Sequence, residues 1–378
     1  MKVGIIGGGI AGLSTALALQ KAGYDFHLFE QSEQFREVGA CINLNSSAAY
    51  LLDQLGVGEH FREVSIPISA FNIVKTNLEK VRGLPCFELS YSIHRAKLIE
   101  VLSKPLSKDS YTLNSRIEQI EQANQKVIVR VNNQQHEFDF LIAADGIHSA
   151  TRKQFLPSLK PRYTGQVMWR GMTKIDLPTH FDNCITELWG QNKRFGIMQR
   201  KGNEYFWYCV RWAKENEPFE LSSEKENLKE LFAQFNPIVN KILDQSDNVI
   251  RTNLYDMEPG NYSWFNNRIV FVGDCIHACT PHLSQGGCQA LESAYVLVGC
   301  LQKQKNNIQA AFEMYQQKRL PKANDINYYS YRFGRISHQR KNWQDNVLHT
   351  ALKYAPEAYL KFQFKKTVDL KSIEGLWK

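Results

Sequence analysis

Residues 1–13, Met-Lys-Val-Gly-Ile-Ile-Gly-Gly-Gly-Ile-Ala-Gly-Leu, constrain the fold more than any other stretch. A β-branched run from Val3 to Ile6 leads into Gly7-x-Gly9-x-x-Gly12, and the Ala/Leu-rich run 13–19 reads as the following helix. Such a strand, tight turn and helix need glycines for three reasons: a sharp reversal, room for a pyrophosphate against the backbone, and close packing of helix on strand. The helix N-terminus then offers unpaired N–H groups and a partial positive charge to phosphates. A second strand, 26–29, ends at Glu30, about 20 residues past the turn, where an acidic side chain takes ribose hydroxyls. The combination predicts a dinucleotide site; the motif alone is equally an ordinary glycine turn.

Along the chain, Arg36 stands near the Gly39 turn, placed to face a phosphate or ribose or to be a solvated loop arginine. Residues 46–55 read as a helix stopped by Gly56, and 66–74 and 86–89 as strands. Residues 93–102 start a helix that turns Leu98, Val101 and Leu102 inward and leaves Arg95 at its first turn. Segments 117–120 and 126–131 alternate like a hairpin. The apolar run 138–144, bounded by Asp145-Gly146, has the pattern of a strand buried on both faces, and such strands end where ligands bind in an open α/β sheet.

From 163 to about 251 the pattern turns β-rich and aromatic, with strands expected at 167–172, 185–189, 194–199 and 204–212. The last two flank the turn Arg200-Lys201-Gly202-Asn203. With a two- or four-residue loop, positions summing to about 403 pair, so that Met198 opposes Tyr205 and Arg194 opposes Cys209. Arg194, Tyr205 and Trp207 then share one face. A cation flanked by aromatic rings suits a planar anionic or electron-rich ligand; the other reading is a solvent-facing arginine. The run 269–272 is a second buried strand, followed by Gly273-Asp274 and by 281–290, which opens a helix whose Gly286-Gly287 lets backbone N–H groups approach a ligand. The remainder is helical in tendency and punctuated by Pro321 and Pro356. It reads as a packing or bridging tail, or as an amphipathic membrane-surface helix.

The length of 378 residues permits two or three domains, and 43% hydrophobic with 12% aromatic residues suits a globular enzyme. A net charge of +8, from 46 Lys+Arg against 38 Asp+Glu, is spread over the chain, which speaks against nucleic acid and for anionic small molecules. The first strand leaves no room for a leader ahead of it, and no run of about 18 apolar residues occurs, so the expectation is a cytoplasmic chain without a transmembrane segment. The eight cysteines form no CxxC pair. Cys275 and Cys279 beside His277 invite a zinc reading, but reduced thiols are favoured and no metal is expected.

Three separated motifs coincide: Gly7-x-Gly9-x-x-Gly12 with Glu30 and Arg36, then 144–152 (Ala-Asp-Gly-Ile-His-Ser-Ala-Thr-Arg), then Gly273-Asp274-x-x-His277-x-x-x-Pro281 with Gln285-Gly286. Together, over roughly residues 1–325, they resemble the single-component (group A) FAD-dependent aromatic hydroxylases, a group that includes urate and salicylate hydroxylases and the tetracycline-inactivating monooxygenases. The resemblance implies an α/β, two-domain fold. A Rossmann-type FAD-binding domain (1–70, 92–165 and 255–325) would carry an inserted antiparallel-sheet substrate domain (71–91 and 166–254) and a C-terminal helical tail (326–378). It also implies cofactor roles. Gly7, Gly9 and Gly12 would cradle the FAD pyrophosphate, Glu30 hold the ribose, and Arg36 and Arg95 contact FAD. Asp145 would serve both FAD and the nicotinamide cofactor, Asp274 the ribityl chain, and Pro281, Gln285, Gly286 and Gly287 the isoalloxazine ring.

The implied activity is hydroxylation of a small aromatic or heteroaromatic substrate with O2, through a flavin hydroperoxide, NADPH or NADH being a transient co-substrate. A homodimer is left open. Within the family, 169–171, 193–194 and 205–206 look most like the urate-hydroxylase branch. On that likeness Arg194 orients or ionises the substrate, Tyr205 hydrogen-bonds it, and His282, where the branch has an acid, removes a proton. The chain departs from the family at Ile276, Ser284 and Cys288, where a small residue, a glycine and often an asparagine are usual. Two alternatives remain: a flavin halogenase or dehydrogenase, although no WxWxIP segment occurs, and a non-catalytic Rossmann-fold escort protein, against which the Asp145-Gly146 and Gly273-Asp274 pairs speak.

Overall fold

A computed structural model describes residues 1–35, 41–200, 202–218, 224–305, 307–338 and 342–377. Arg36 lies outside them. The β-branched run at the start forms the strand Lys2–Ile6, which sits inside a six-stranded sheet between the parallel strands Asp25–Phe29 and Phe140–Ala143. Ile269–Phe271 continues the sheet in parallel, and Phe265–Asn266 closes it as an antiparallel edge. All four residues of Phe140–Ala143 are buried, as a central strand covered on both faces requires. The helix Ile10–Lys21 is buried along residues 10–19 because the helix Gly286–Gln304 packs over it. The glycine turn therefore lies at the carboxyl end of a central strand whose neighbours on its two sides come from different parts of the chain, the place where open α/β sheets take ligands.

A second, eight-stranded sheet contains Cys41–Leu44, Ile66–Lys75, Lys80–His94, Pro161–Lys174, Cys184–Gly190, Lys193–Gln199, Glu204–Trp212 and Ile250–Met257. One face packs Phe195, Trp207 and Tyr205 against Leu228, Val239 and Leu243, which come from the helices Glu224–Leu231 and Ile238–Asp244. The other face looks toward the parallel sheet and forms the wall of a cavity. A three-stranded meander, Ile117–Ala123, Lys126–Val131 and Gln134–Phe138, completes the β structure.

The hairpin register departs from the expected one. Gln199 pairs with Tyr205, Met198 with Phe206 and Arg194 with Val210. Five residues separate the last pair, Gln199 and Tyr205, with Gly202 at φ 68° and Arg200 N–H donating to the Glu204 carbonyl. This odd loop moves the pairing by one residue, and in a strand one residue exchanges the two faces. Arg194 consequently shares its face with Tyr208 and Phe206, while Tyr205 and Trp207 point into the opposite core.

The C-terminal part is helical, as expected, but Pro321 does not break it. The helix Ile308–His338 continues for 31 residues through it and brings Gly334 against Gln166 and Phe333 and His338 against Arg194, whose side chain borders the cavity. Pro356 instead precedes the helix Glu357–Val368. Leu348 and Leu352 from the helix Asn342–Tyr354 pack against Ile73, Val81 and Trp189, and Trp377 stacks on Tyr295 with ring centroids 4.4 Å apart. Among the described residues no helix is long and apolar enough to cross a membrane.

Candidate active site

The cradle is built from backbone. Gly7 has φ 100°, and a Cβ there would stand 2.4 Å from the Ala144 carbonyl oxygen, while a Cβ on Gly12 would stand 1.8 Å from the Gly7 oxygen. Only glycine fits either position. Gly9 caps the helix Ile10–Lys21, whose first N–H groups face the turn. The Glu30 carboxylate is fixed beside it, accepting from Gly8 N–H at 2.6 Å and Ser32 N–H at 2.8 Å.

The two other motifs are locked to each other. Arg152, 2% exposed, donates to the Cys275 carbonyl and to the Ile147 carbonyl, each at 2.6 Å. Asp145 accepts from Thr151 N–H at 3.1 Å, leaving its buried Oδ1 without a hydrogen-bond partner. Gly273 has φ 78°, and a Cβ there would meet Ala11 at 2.6 Å, so this loop seats directly on the glycine-turn helix. His277 holds that loop: its Nε2 stands 3.2 Å from Gly273 N and 2.9 Å from Ser293 Oγ. Burial and the nearby Arg319 charge push its pKa down to about 3. Cys275 donates its thiol to the Ala143 and Val272 carbonyls, which gives the cysteine and histidine of the zinc reading packing roles. Among the described residues no metal-binding group of three or more such side chains comes together.

These loops border one cavity of about 310 Å³. At one end lie Gly9, Ala11, Arg95, Gly146, Asp274 and Gly287; at the other lie Phe71, Met168, Ile185, Met198 and Phe206. Asp274 is open to the cavity yet surrounded by protein, so burial pushes its carboxyl up from the ordinary value while the Arg95 charge opposes that rise. Burial pushes Arg95 down against the pull of Asp274, and it pushes Arg170 down with help from the Arg95 charge. Pro281 begins a single 3-10 turn on the cavity, and Ser284, where the family has glycine, takes φ 52° in the left-handed region glycine favours. Gln285 instead turns inward, accepting from Asn45 at 3.4 Å, and contributes only the helix start. A Cβ on Gly286 would meet nothing within 4 Å, so this helix N-terminus stands open to the cavity. An extended chain of backbone donors with an orphaned aspartate oxygen, two acids and Arg95 fits a dinucleotide whose ring system reaches the apolar end.

At that end Arg194, 1% exposed, donates through Nη1 to Glu187 at 3.1 Å, through Nη2 to His282 Nδ1 at 2.8 Å and through Nε to His338 Nε2 at 3.3 Å. A guanidinium only donates, so His282 Nδ1 accepts and its Nε2 carries the proton, given to Gln166 Oε1 at 2.7 Å. Burial and the Arg194 charge push the His282 pKa well down. The expectation that His282 removes a proton is thereby corrected, because its basic lone pair is taken by an arginine. Tyr205 is corrected too. It bonds Asp182 at 3.0 Å in the opposite core, its pKa pushed up to about 12 by burial and Asp182, and does not line the cavity. The tyrosine on the cavity face is Tyr208, bonded to Glu187 Oε1 at 2.5 Å. Sequence reading missed Tyr208, Glu187, Gln166 and His338. A lone acid inside the apolar run 184–190 was the one available sign; His338 had none, being 144 residues from the arginine it touches.

A Rossmann-type cradle that shares its cavity with an apolar antiparallel sheet defines a nucleotide-dependent flavoprotein oxidoreductase. The family described as FAD binding domain matches residues 1–328. The aurachin C monooxygenase/isomerase of Stigmatella aurantiaca is 32% identical over 341 residues, covering 88% of each chain. An FAD-dependent urate hydroxylase of Klebsiella pneumoniae is 30% identical over 348 residues, covering 86% of this chain and 88% of that one. The crystal structure of Klebsiella pneumoniae HpxO complexed with FAD and uric acid shares the fold, with a TM-score of 0.90 at 24% identity over 97% of this chain and 96% of that one. The chain belongs to the single-component FAD-dependent monooxygenase family. It is an FAD-dependent enzyme, and use of NAD(P)H is typical of that family.

Proposed function

We propose that this enzyme uses FAD, NAD(P)H and O2 to hydroxylate a small heteroaromatic substrate held against the antiparallel sheet. The carrying observation is the continuity of one cavity from the Gly9 and Gly286 helix starts to the Phe71, Ile185 and Phe206 wall. Gly7, Gly9 and Gly12 would take the pyrophosphate of FAD, Glu30 the ribose, and Arg95, Asp145 and Asp274 the chain between them. Pro281, Gly286, Gly287 and the backbone of Gln285 would border the ring, and Arg36, outside the described residues, would contact the cofactor as the family resemblance implies. Bound FAD supplies the redox chemistry, taking electrons from NAD(P)H and activating O2. The chain supplies position and dryness. Phe71, Met168, Ile185, Met198 and Phe206 exclude water from the reacting ring. Arg194, pinned at three nitrogens, presents its remaining N–H groups in one orientation, which orders a planar acceptor without searching rotamers.

The test is direct. Purified protein should be yellow, and NAD(P)H oxidation should accelerate when one of a panel of phenols, purines, quinolones and tetracyclines is added, with oxygen-18 from O2 appearing in the product. Colourless protein that refuses FAD ends the proposal, and substrate oxidation without oxygen-18 moves it to a flavin dehydrogenase.

A further inference from the structure

The C-terminal helices are apolar on two sides, and the fold uses only one of them. In the helix Asn342–Tyr354, Leu348 and Leu352 point inward and pack with Phe333 against Ile73, Val81 and Trp189. Val347, Ala351 and Tyr354 stand at i, i+4 and i+7 on the adjoining stripe, and all three are exposed, Val347 at 59% and Tyr354 at 73%. The helix Ile308–His338 repeats the pattern where it meets the same cluster. Tyr329 and Ile336, four residues before and three after Phe333, flank it and are 44% and 51% exposed. Of the eight large hydrophobic side chains exposed among the described residues, five lie between 328 and 354. Singly scattered apolar residues are ordinary surface, whereas a concentration on two neighbouring helices marks a face that meets something other than water.

Charge identifies what covers it. Residues 332–378 hold ten Lys/Arg against four Asp/Glu, so six of the chain's net +8 charges fall in this last part. The surplus, expected to be spread over the chain, is concentrated there. Among the described side chains of 328–368, the exposed cations Arg332, Arg335, Lys353, Lys365 and Lys366 stand against a single acid, Glu357. Three of them lie on tyrosine rings. Arg332 is 5.3 Å from the Tyr328 centroid and donates to its hydroxyl at 2.5 Å; Arg335 is 5.8 Å from the Tyr331 centroid, and Lys353 5.8 Å from that of Tyr354. Tyrosine beside a long-stemmed cation, next to exposed aliphatic side chains, is the pattern of a lipid–water boundary. A second copy of the chain fits poorly, because a two-fold contact sets these cations against their own counterparts. A nucleic acid would take the cations and leave Ile336, Val347 and Ala351 in water.

We propose that the helix face carrying Ile336, Val347 and Tyr354 docks the enzyme on an anionic lipid bilayer, its apolar stripe at the acyl boundary and its cations among the headgroup phosphates. The contact is peripheral, since among the described residues no helix is long and apolar enough to cross a membrane. The stripe is short, so it holds the protein only with help from charge, and the cations alone act over no more than a Debye length. Binding therefore needs both and is reversed by salt. The inner stripe ties this face to the cavity. Leu348 and Leu352 share their cluster with Phe71, and Phe71 borders the cavity, so docking sets the cavity wall one helix away from the bilayer.

The test is co-sedimentation of the whole FAD-loaded chain with vesicles of phosphatidylcholine, alone or with about 30% phosphatidylglycerol. The protein should pellet with the anionic vesicles in about 0.05 M salt, be released severalfold in about 0.5 M, and stay in solution with phosphatidylcholine alone. Val347→Ser with Tyr354→Ser removes the outer stripe and leaves Leu348 and Leu352 in place, and Lys365→Glu with Lys366→Glu reverses two cations. Each pair should weaken vesicle binding about tenfold or more while FAD affinity and Tm are kept. Lys353→Glu carries the charge arm if the double reversal does not fold. Binding that ignores vesicle charge, or that survives loss of the outer stripe, overturns the docking. Absence of binding to either vesicle overturns it too, and a concentration-dependent dimer in light scattering that the serine pair dissociates would then give the face to a second copy.

Discussion

The Arg194–Glu187 pair gives the sharpest test of how the cavity wall is built. Both side chains are nearly solvent-free, at 1% and 4%, and they meet at 3.1 Å. Arg194→Met removes the cation while filling similar space, leaving a buried carboxylate supported only by Tyr208 and Trp189. Breaking a buried pair on one side costs about 3–5 kcal/mol. At about 2.1 cal/mol/K of unfolding entropy per residue, a chain of this length should lose about 4–6 °C in Tm. The deficit should shrink as pH is lowered from about 8 to about 5, because a stranded carboxylate is relieved by taking up a proton. Replacing both partners, Arg194→Met with Glu187→Leu, should recover all but about 1 kcal/mol, since an apolar pair brings no ion into the sheet. Thermal unfolding of the FAD-loaded single and double variants at several pH values measures all three effects. A single variant as stable as the wild type, or a loss that ignores pH, would show that the pair is solvated and that the buried network does not hold the wall together.

Two further outcomes follow from the same geometry. Gly286→Val adds a side chain where nothing lies within 4 Å, so the apoprotein should keep its unfolding midpoint while FAD affinity falls about tenfold or more, read by flavin fluorescence on titration; unchanged affinity would remove Gly286 from the cofactor site. His277 is neutral in the fold, with a pKa of about 3 against 6.5 in the unfolded chain. Its contribution is present above pH 6.5 and lost as pH falls, by about 2 kcal/mol at pH 5. His277→Gln, which still offers an acceptor to Gly273 N–H, should flatten that part of the stability curve in urea unfolding between pH 7 and 5. A slope equal to that of the wild type would place the acid sensitivity elsewhere, on His282 among others.

Much of this protein is written locally. The strand Lys2–Ile6, its glycine turn and the helix behind it depend on residues within one short window, where apolar spacing and the absence of side chains dictate the backbone. The Asp145 and Gly273-Asp274 turns are legible for the same reason: each follows a run buried on both faces and ends at the sheet edge where a ligand can sit. The helix starts at Arg95 and Gly286 fall where their sequences place them. What the sequence left undecided was which side chains meet across the cavity. A hairpin's register depends on whether its loop holds an even or odd number of residues, and one residue more replaced Tyr205 by Tyr208 on the working face. His338 reaches Arg194 from a helix 144 positions away, and Arg152 ties two motifs together through a carbonyl. Such contacts leave no periodicity in either partner's neighbourhood. They arise only when two sheets close on one another, and the buried charges then take whichever partners the closure brings within reach.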